Sequence, residues 1–138
     1  MIIETNENIV CFDVDDTLVM WEIPPGREKD CVLFNSFGTA EWLLPHGPHI
    51  KMMKQFKARG QKVIVWSQGG AQWAAEVIKS LKLEEFVDVV MTKPKWIIDD
   101  KAAAEWMQRS YLTIDGVRVK CKDNIEFDWE KDDETEPQ

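Results

Sequence analysis

Four short apolar runs, each stopping abruptly at polar or charged residues, most constrain how this chain can fold. They are residues 8–14 (NIVCFDV), 62–66 (KVIVW), 87–91 (VDVVM) and 96–98 (WII). A strand buried on both faces reads as a near-continuous run of strand formers, which is the habit of parallel sheets. Helical patterns lie between and after these runs. Residues 49–59 place Ile50, Met53 and Phe56 on one face, with Pro48 near the start and Gly60 past the end. Residues 71–82 line up Ala74, Val77, Ile78 and Leu81, and residues 101–109 predict a third helix around Ala102, Ala103 and Trp106. Strands alternating with helices predict an α/β fold with a mostly parallel, three-layer sheet.

Residues 19–47 break the rhythm, with Pro24, Pro25, Gly26, Gly38, Pro45 and Gly47 between short apolar pieces. They predict a short β-hairpin flap over the sheet edge. Asp115-Gly116, between alternating segments of residues 111–120, is a strong hairpin signal. A chain of 138 residues suits one core, so a single domain is expected over residues 1–122. Residues 123–138 carry eight acidic side chains and one lysine, a balance of −7, leaving −1 for the other 122 residues. Such a segment repels itself and predicts a solvated, partly disordered tail, although Ile125, Phe127 and Trp129 alternate as an edge strand would. A nearly neutral body lacks the basic patch that tight nucleic-acid binding needs. Three cysteines at unrelated spacings fit neither a zinc template nor a disulfide framework, and Cys11 reads as a small core residue. No run approaches the roughly 20 apolar residues of a membrane span, and the N-terminal residues lack a signal-peptide pattern. A cytoplasmic protein without a membrane partner is expected.

Open parallel sheets bind ligands at the carboxyl ends of their strands. After the first run come Asp13, Asp15, Asp16 and Thr17; after the second, Ser67, Gln68, Gly69 and Gly70. Lys93 precedes the last run, and Asp99 and Asp100 follow it. Clustered carboxylates repel one another unless a cation joins them, and hard oxygen ligands suit Mg²⁺. Such a cation also lets a carboxylate approach a negatively charged phosphate. Ser67 and Lys93 can bind the remaining phosphate oxygens, and Gly69 and Gly70 let backbone N–H groups come close.

The segment CFDVDDTLV resembles the first motif of the haloacid dehalogenase-like hydrolases, an apolar strand followed by D-x-D-x-T-[LV]. KVIVWS resembles their second motif, and TKPKWIIDDKA their third and fourth in compact form. The resemblance covers residues 8 to about 107. It implies a three-layer Rossmann-like sheet and a phosphatase in which Asp13 forms an aspartyl-phosphate while Asp15 serves as general acid and base. It further implies phosphate contacts from Thr17, Ser67, Gln68, Gly69 and Lys93, and Mg²⁺ held by Asp13, Asp15, Asp99 and Asp100, with Asp100 favoured over Asp99 for direct contact. Asp16 stands where the family most often has glycine. Lys95 competes with Lys93, which is preferred because it lies outside the expected strand.

Two other classes compete. A receiver-like phosphoacceptor module would need an aspartate where Ser67 stands, and an inactive binding protein on the same fold has no reason to retain the whole constellation. The roughly 29 residues between Leu18 and Pro48 are too few for a cap domain, so the substrate is left among nucleotides, sugar phosphates and nucleic-acid 3′-phosphate ends. His46 and His49 read as surface or capping residues. Trp21 and Trp42 read as flap packing, or as a floor on which a flat substrate stacks.

Overall fold

The computed structural model describes residues 2–3, 8–36 and 38–131. It is a mixed α/β fold with a three-stranded parallel sheet and a small antiparallel sheet. Strand β1 (Ile9–Asp13) is followed by β2 (Val19–Met20), β3 (Val32–Ser36) and β4 (Thr39–Pro45). Helix α1 (Gly47–Ala58), β5 (Lys62–Ser67), α2 (Ala71–Ser80) and β6 (Val89–Thr92) complete the order. The parallel sheet runs β1-β5-β6 and the antiparallel one β2-β4-β3. The second sheet is the expected flap, with β3 and β4 paired from Val32↔Leu43 to Ser36↔Thr39.

Each element forms for a local reason. In β5, Val63, Val65 and Ser67 are buried while the residues between them are half-buried, as period-two alternation requires. Helix α1 is capped by His46, whose ring accepts the His49 N–H at 3.1 Å, and Pro48 occupies the first turn. Its inward face is His49, Met52, Met53 and Phe56. Helix α2 buries Trp73, Ala74, Val77 and Ile78, all on one side. These faces meet Phe12, Val14, Leu18, Val19, Phe34 and Leu43 in one core. Each large apolar side chain buried there contributes about 1.5–3 kcal/mol.

Three expectations change. Residues 96–98 form no strand, and Trp96 and Ile98 are 84% and 98% exposed. Pro94 follows β6 closely and the run has only three apolar residues before two aspartates, too little to hold a place in the sheet. Instead of a helix over 101–109 there is one 3-10 turn, Ala103–Glu105, closed by the Glu105 carboxylate on the Ala102 N–H at 2.9 Å. Trp106 and Met107 stay exposed, so no packed face repays helix nucleation. Residues 123–131 fold onto the body: Phe127 and Trp129 pack edge-on against Phe56 at 5.0 and 5.3 Å, and Arg118 pairs with Glu130. The rest of the acidic tail, 132–138, lies outside the described residues. The 111–120 hairpin is present as a single bridge, Leu112↔Arg118, around a turn where Gly116 has φ +83°. Cys11 is half-buried.

Candidate active site

Strands β1 and β5 pair in parallel through Asp13↔Trp66, and β5 and β6 through Ser67↔Thr92. Their carboxyl ends therefore stand side by side. The Lys93 N–H donates to the Ser67 carbonyl at 2.9 Å, extending the ladder one residue beyond β6. Lys93 Nζ reaches 3.9 Å from Asp13 Oδ1. Lys95 is exposed and has no such contact. Burial pushes the Asp13 carboxyl above the usual carboxylate range, and the Asp15 charge adds to that. Lys93, the Val14 N–H and the Thr17 hydroxyl pull the other way.

The loop after β1 is wound tightly. The Val14 carbonyl accepts from the N–H groups of Thr17, Leu18 and Val19 at 3.1, 2.8 and 3.2 Å. Asp16 sits in the left-handed region at φ +61°, which aspartate tolerates better than most non-glycine residues. Its N–H donates to the Val19 carbonyl at 2.7 Å, and its own carbonyl accepts the Tyr111 hydroxyl. A residue where glycine is the expected type thus occupies a glycine-like conformation.

Asp15 is held by three donors. Oδ1 accepts the indole N–H groups of Trp21 at 2.8 Å and Trp73 at 3.1 Å, and Oδ2 accepts the Ser67 hydroxyl at 3.4 Å. Ser67 is fully buried and its Oγ also accepts the Gly69 N–H at 3.0 Å. The Gly70 N–H goes to the Ser67 carbonyl. Both glycine amides expected to face a phosphate are therefore engaged by Ser67, which here positions Asp15. Gly69 is required on packing grounds: a Cβ there would lie 3.1 Å from Trp73 Cδ1 and 3.3 Å from Ser67 Oγ. Gln68 is exposed in the turn after β5.

Asp99 and Asp100 are exposed on the segment beyond β6. The Asp99 carboxylate accepts the Lys101 N–H at 3.1 Å, which, with a hydrogen bond from Asp100, holds it below the usual range. Among the described residues no group of three or more His, Cys, Asp or Glu side chains is set to hold a metal ion. The structure therefore brings together Asp13, Asp15, Thr17, Ser67 and Lys93, and leaves Asp99 and Asp100 apart. Mg²⁺ characteristically takes one or two protein carboxylates, with waters and substrate phosphate filling the rest. Asp13 is half-exposed and can supply such a carboxylate, while the resemblance puts the Asp15 backbone carbonyl in the metal shell and leaves the Asp15 side chain for proton transfer, so this donor set fits that habit.

Sequence reasoning missed the supports of this rim. His46 is a capping residue, as one of its two readings had it, but both His46 and His49 are fully buried rather than superficial. His49 Nδ1 lies 2.8 Å from the Thr17 carbonyl and accepts the Leu112 N–H on Nε2 at 2.9 Å. His46 accepts the His49 N–H on Nδ1 and donates from Nε2 to the Leu112 carbonyl at 3.0 Å. The two rings thus tie the loop after β1 to the 112–118 hairpin. Their place beside Pro48 was the available signal, but only tertiary structure shows what they meet. Trp73, two residues into α2 and four after Gly69, is the other residue missed.

Two clefts stand out on the surface of the described residues. One of about 450 Å³, lined by Lys51, Gln55, Arg118 and Glu126 among others, shares no residue with the carboxylate rim. The other, about 230 Å³, has Asp15 in its wall together with Trp21, Trp73 and flap residues. No helix of the described residues is long and apolar enough to cross a membrane. No family model, no curated protein and no solved structure matches the chain.

Proposed function

We propose that this chain is a magnesium-dependent phosphomonoester hydrolase of the haloacid dehalogenase-like type, with Asp13 as nucleophile and Asp15 as general acid and base. One observation carries the reading: Asp13, Ser67 and Lys93 stand together at the carboxyl ends of three parallel strands, with Asp15 fixed beside them. An Asp13 carboxylate oxygen attacks phosphorus, the ester P–O bond breaks, and the departing alkoxide takes the proton carried by Asp15. Asp15, now a carboxylate, accepts a proton from water as the water oxygen bonds to phosphorus. The bond between phosphorus and Asp13 then breaks, releasing inorganic phosphate and restoring both side chains. Lys93 offsets the charge of the phosphoryl oxygens throughout.

Mg²⁺, which the Asp13 carboxylate and the Asp15 backbone carbonyl would hold, would neutralise phosphate charge and orient the phosphoryl group. The testing experiment is a phosphatase screen with Mg²⁺ over nucleotides, sugar phosphates and 3′- or 5′-phosphorylated oligonucleotides, run beside Asp13→Asn. Turnover of at least one ester that needs Mg²⁺ and vanishes in the variant supports the reading. Turnover that survives Asp13→Asn contradicts it.

A further inference from the structure

The proton that Asp15 delivers goes to the leaving group, so whatever lines the cleft beside Asp15 meets the alcohol part of the substrate. That cleft, of about 230 Å³, is open and has room for one ring system. One wall is aromatic. Trp21 is 46% exposed, its indole N–H is anchored on Asp15, and its ring lies 6.3 Å from that of Trp73, tilted by 45°. The facing wall is the flap. Phe34 packs edge-on against Trp73 at 6.2 Å and fixes the distance of the β3–β4 hairpin from α2. Farther along the same hairpin Ser36, Thr39 and Glu41 line the cleft.

Glu41 distinguishes this cleft from a plain apolar slot. Phe34 and Glu41 are directly opposite one another across the ladder, so the carboxylate sits beside the residue that anchors the flap. It forms no hydrogen bond or ion pair with another described residue. Among the described residues, two carboxylates, Glu41 and Asp15, and no cation line the cleft. A second phosphate or a nucleic-acid backbone would be repelled there. A flat ring against Trp21 with N–H groups toward Glu41 satisfies both walls, because an ionised carboxylate is an acceptor on two oxygens.

Resting on the phosphatase reading, we infer that the leaving group is a nucleoside, whose heterocycle lies on Trp21 and whose N–H edge is read by Glu41. Guanine presents two adjacent N–H donors on one edge, which a carboxylate can accept together, so guanosine monophosphates are the best substrates and long oligonucleotides are poor ones. Ribose phosphate and glycerol phosphate lack the ring and gain neither contact.

The test compares kcat/KM for guanosine 5′- and 3′-monophosphate with that for ribose 5-phosphate and glycerol phosphate, in the wild type, Trp21→Leu and Glu41→Gln. The quantity read is the ratio of ring-bearing to ring-free esters, which cancels any general effect on Asp15. A wild-type ratio of about tenfold or more that falls severalfold in each variant is expected. A ratio near one, or one that neither variant changes, overturns the inference while leaving the phosphatase reading intact. If no ester is hydrolysed, that reading has failed, and guanosine binding to the wild-type protein then decides this one. Calorimetric binding that Glu41→Gln weakens about tenfold upholds the cleft as a nucleoside site, and an absence of binding overturns it.

Discussion

The imidazoles of His46 and His49 stack face to face, with centroids 3.8 Å apart and planes 6° from parallel. Each ring has one nitrogen accepting a backbone N–H, which leaves the other as the donor to a carbonyl. Both are therefore neutral in the fold. His49, buried and beside a second imidazole, is pushed down to about 4, and burial lowers His46 as well.

The pair makes stability depend on pH with a defined sign. Between pH 6.5 and about 4 the unfolded chain binds a proton at His49 that the folded chain refuses. The contribution is fully present above pH 6.5 and is lost as pH falls toward 4, reaching about 3 kcal/mol for His49 alone. Urea unfolding at pH 7.5, 6, 5 and 4.5 should show this decline in the wild type and a shallower one in His49→Gln. Parallel curves for the two proteins would contradict the neutral pair.

Asp16 gives a backbone test. An L-residue in the left-handed region costs about 1–2 kcal/mol, and a β-branched one suffers most. Asp16→Gly removes the strain at φ +61°, at the expense of a 3.3 Å bond from the Trp21 N–H. Asp16→Val keeps a Cβ and adds branching. The valine variant is expected to be less stable than the glycine variant by at least about 1 kcal/mol, read from urea midpoints. The opposite order would show that the side chain, not the backbone, sets this position.

Much of this architecture was legible because it rests on period and punctuation. The continuous apolar runs of β1, β5 and β6 announced parallel strands, although β1 buries only Phe12 and β6 is at most half-buried, and the Pro- and Gly-rich stretch announced the flap. What failed depended on partners distant in sequence. Trp96–Ile98 has a strand's composition, yet nothing among the described residues pairs with it. Residues 101–109 have a helix's composition, but Trp106 finds no surface to cover. Phe127 and Trp129 stood out within the acidic residues 123–138, but their partner, Phe56, lies some seventy residues earlier in the chain and could not be read from them. In the candidate site the carboxylates, Ser67 and Lys93 were readable from strand ends. The indole clamp on Asp15 was not, because Trp21 and Trp73 come from separate elements.

That clamp predicts a positioning role for Trp73. Trp73→Phe keeps most of the buried ring and removes the N–H that holds Asp15 at 3.1 Å. The expected result is a fall in kcat of about tenfold with KM little changed, because a freed Asp15 is misplaced for proton transfer rather than for binding. A drop in kcat/KM arising wholly from KM would contradict the role.

The central claim is that Asp13 carries the phosphoryl group during turnover, and one chemical trap addresses it directly. The protein is mixed with a turned-over ester and Mg²⁺, quenched in acid within one turnover and reduced with borohydride, which converts an acyl-phosphate of aspartate to homoserine. Peptide mass spectrometry then reads every aspartate of the rim, Asp13, Asp15 and Asp16, in one fragment of the chain. The account predicts homoserine at position 13 alone, absent when substrate is omitted. Full turnover with Asp13 unmodified under the same quench, or homoserine at position 15 instead, would contradict it.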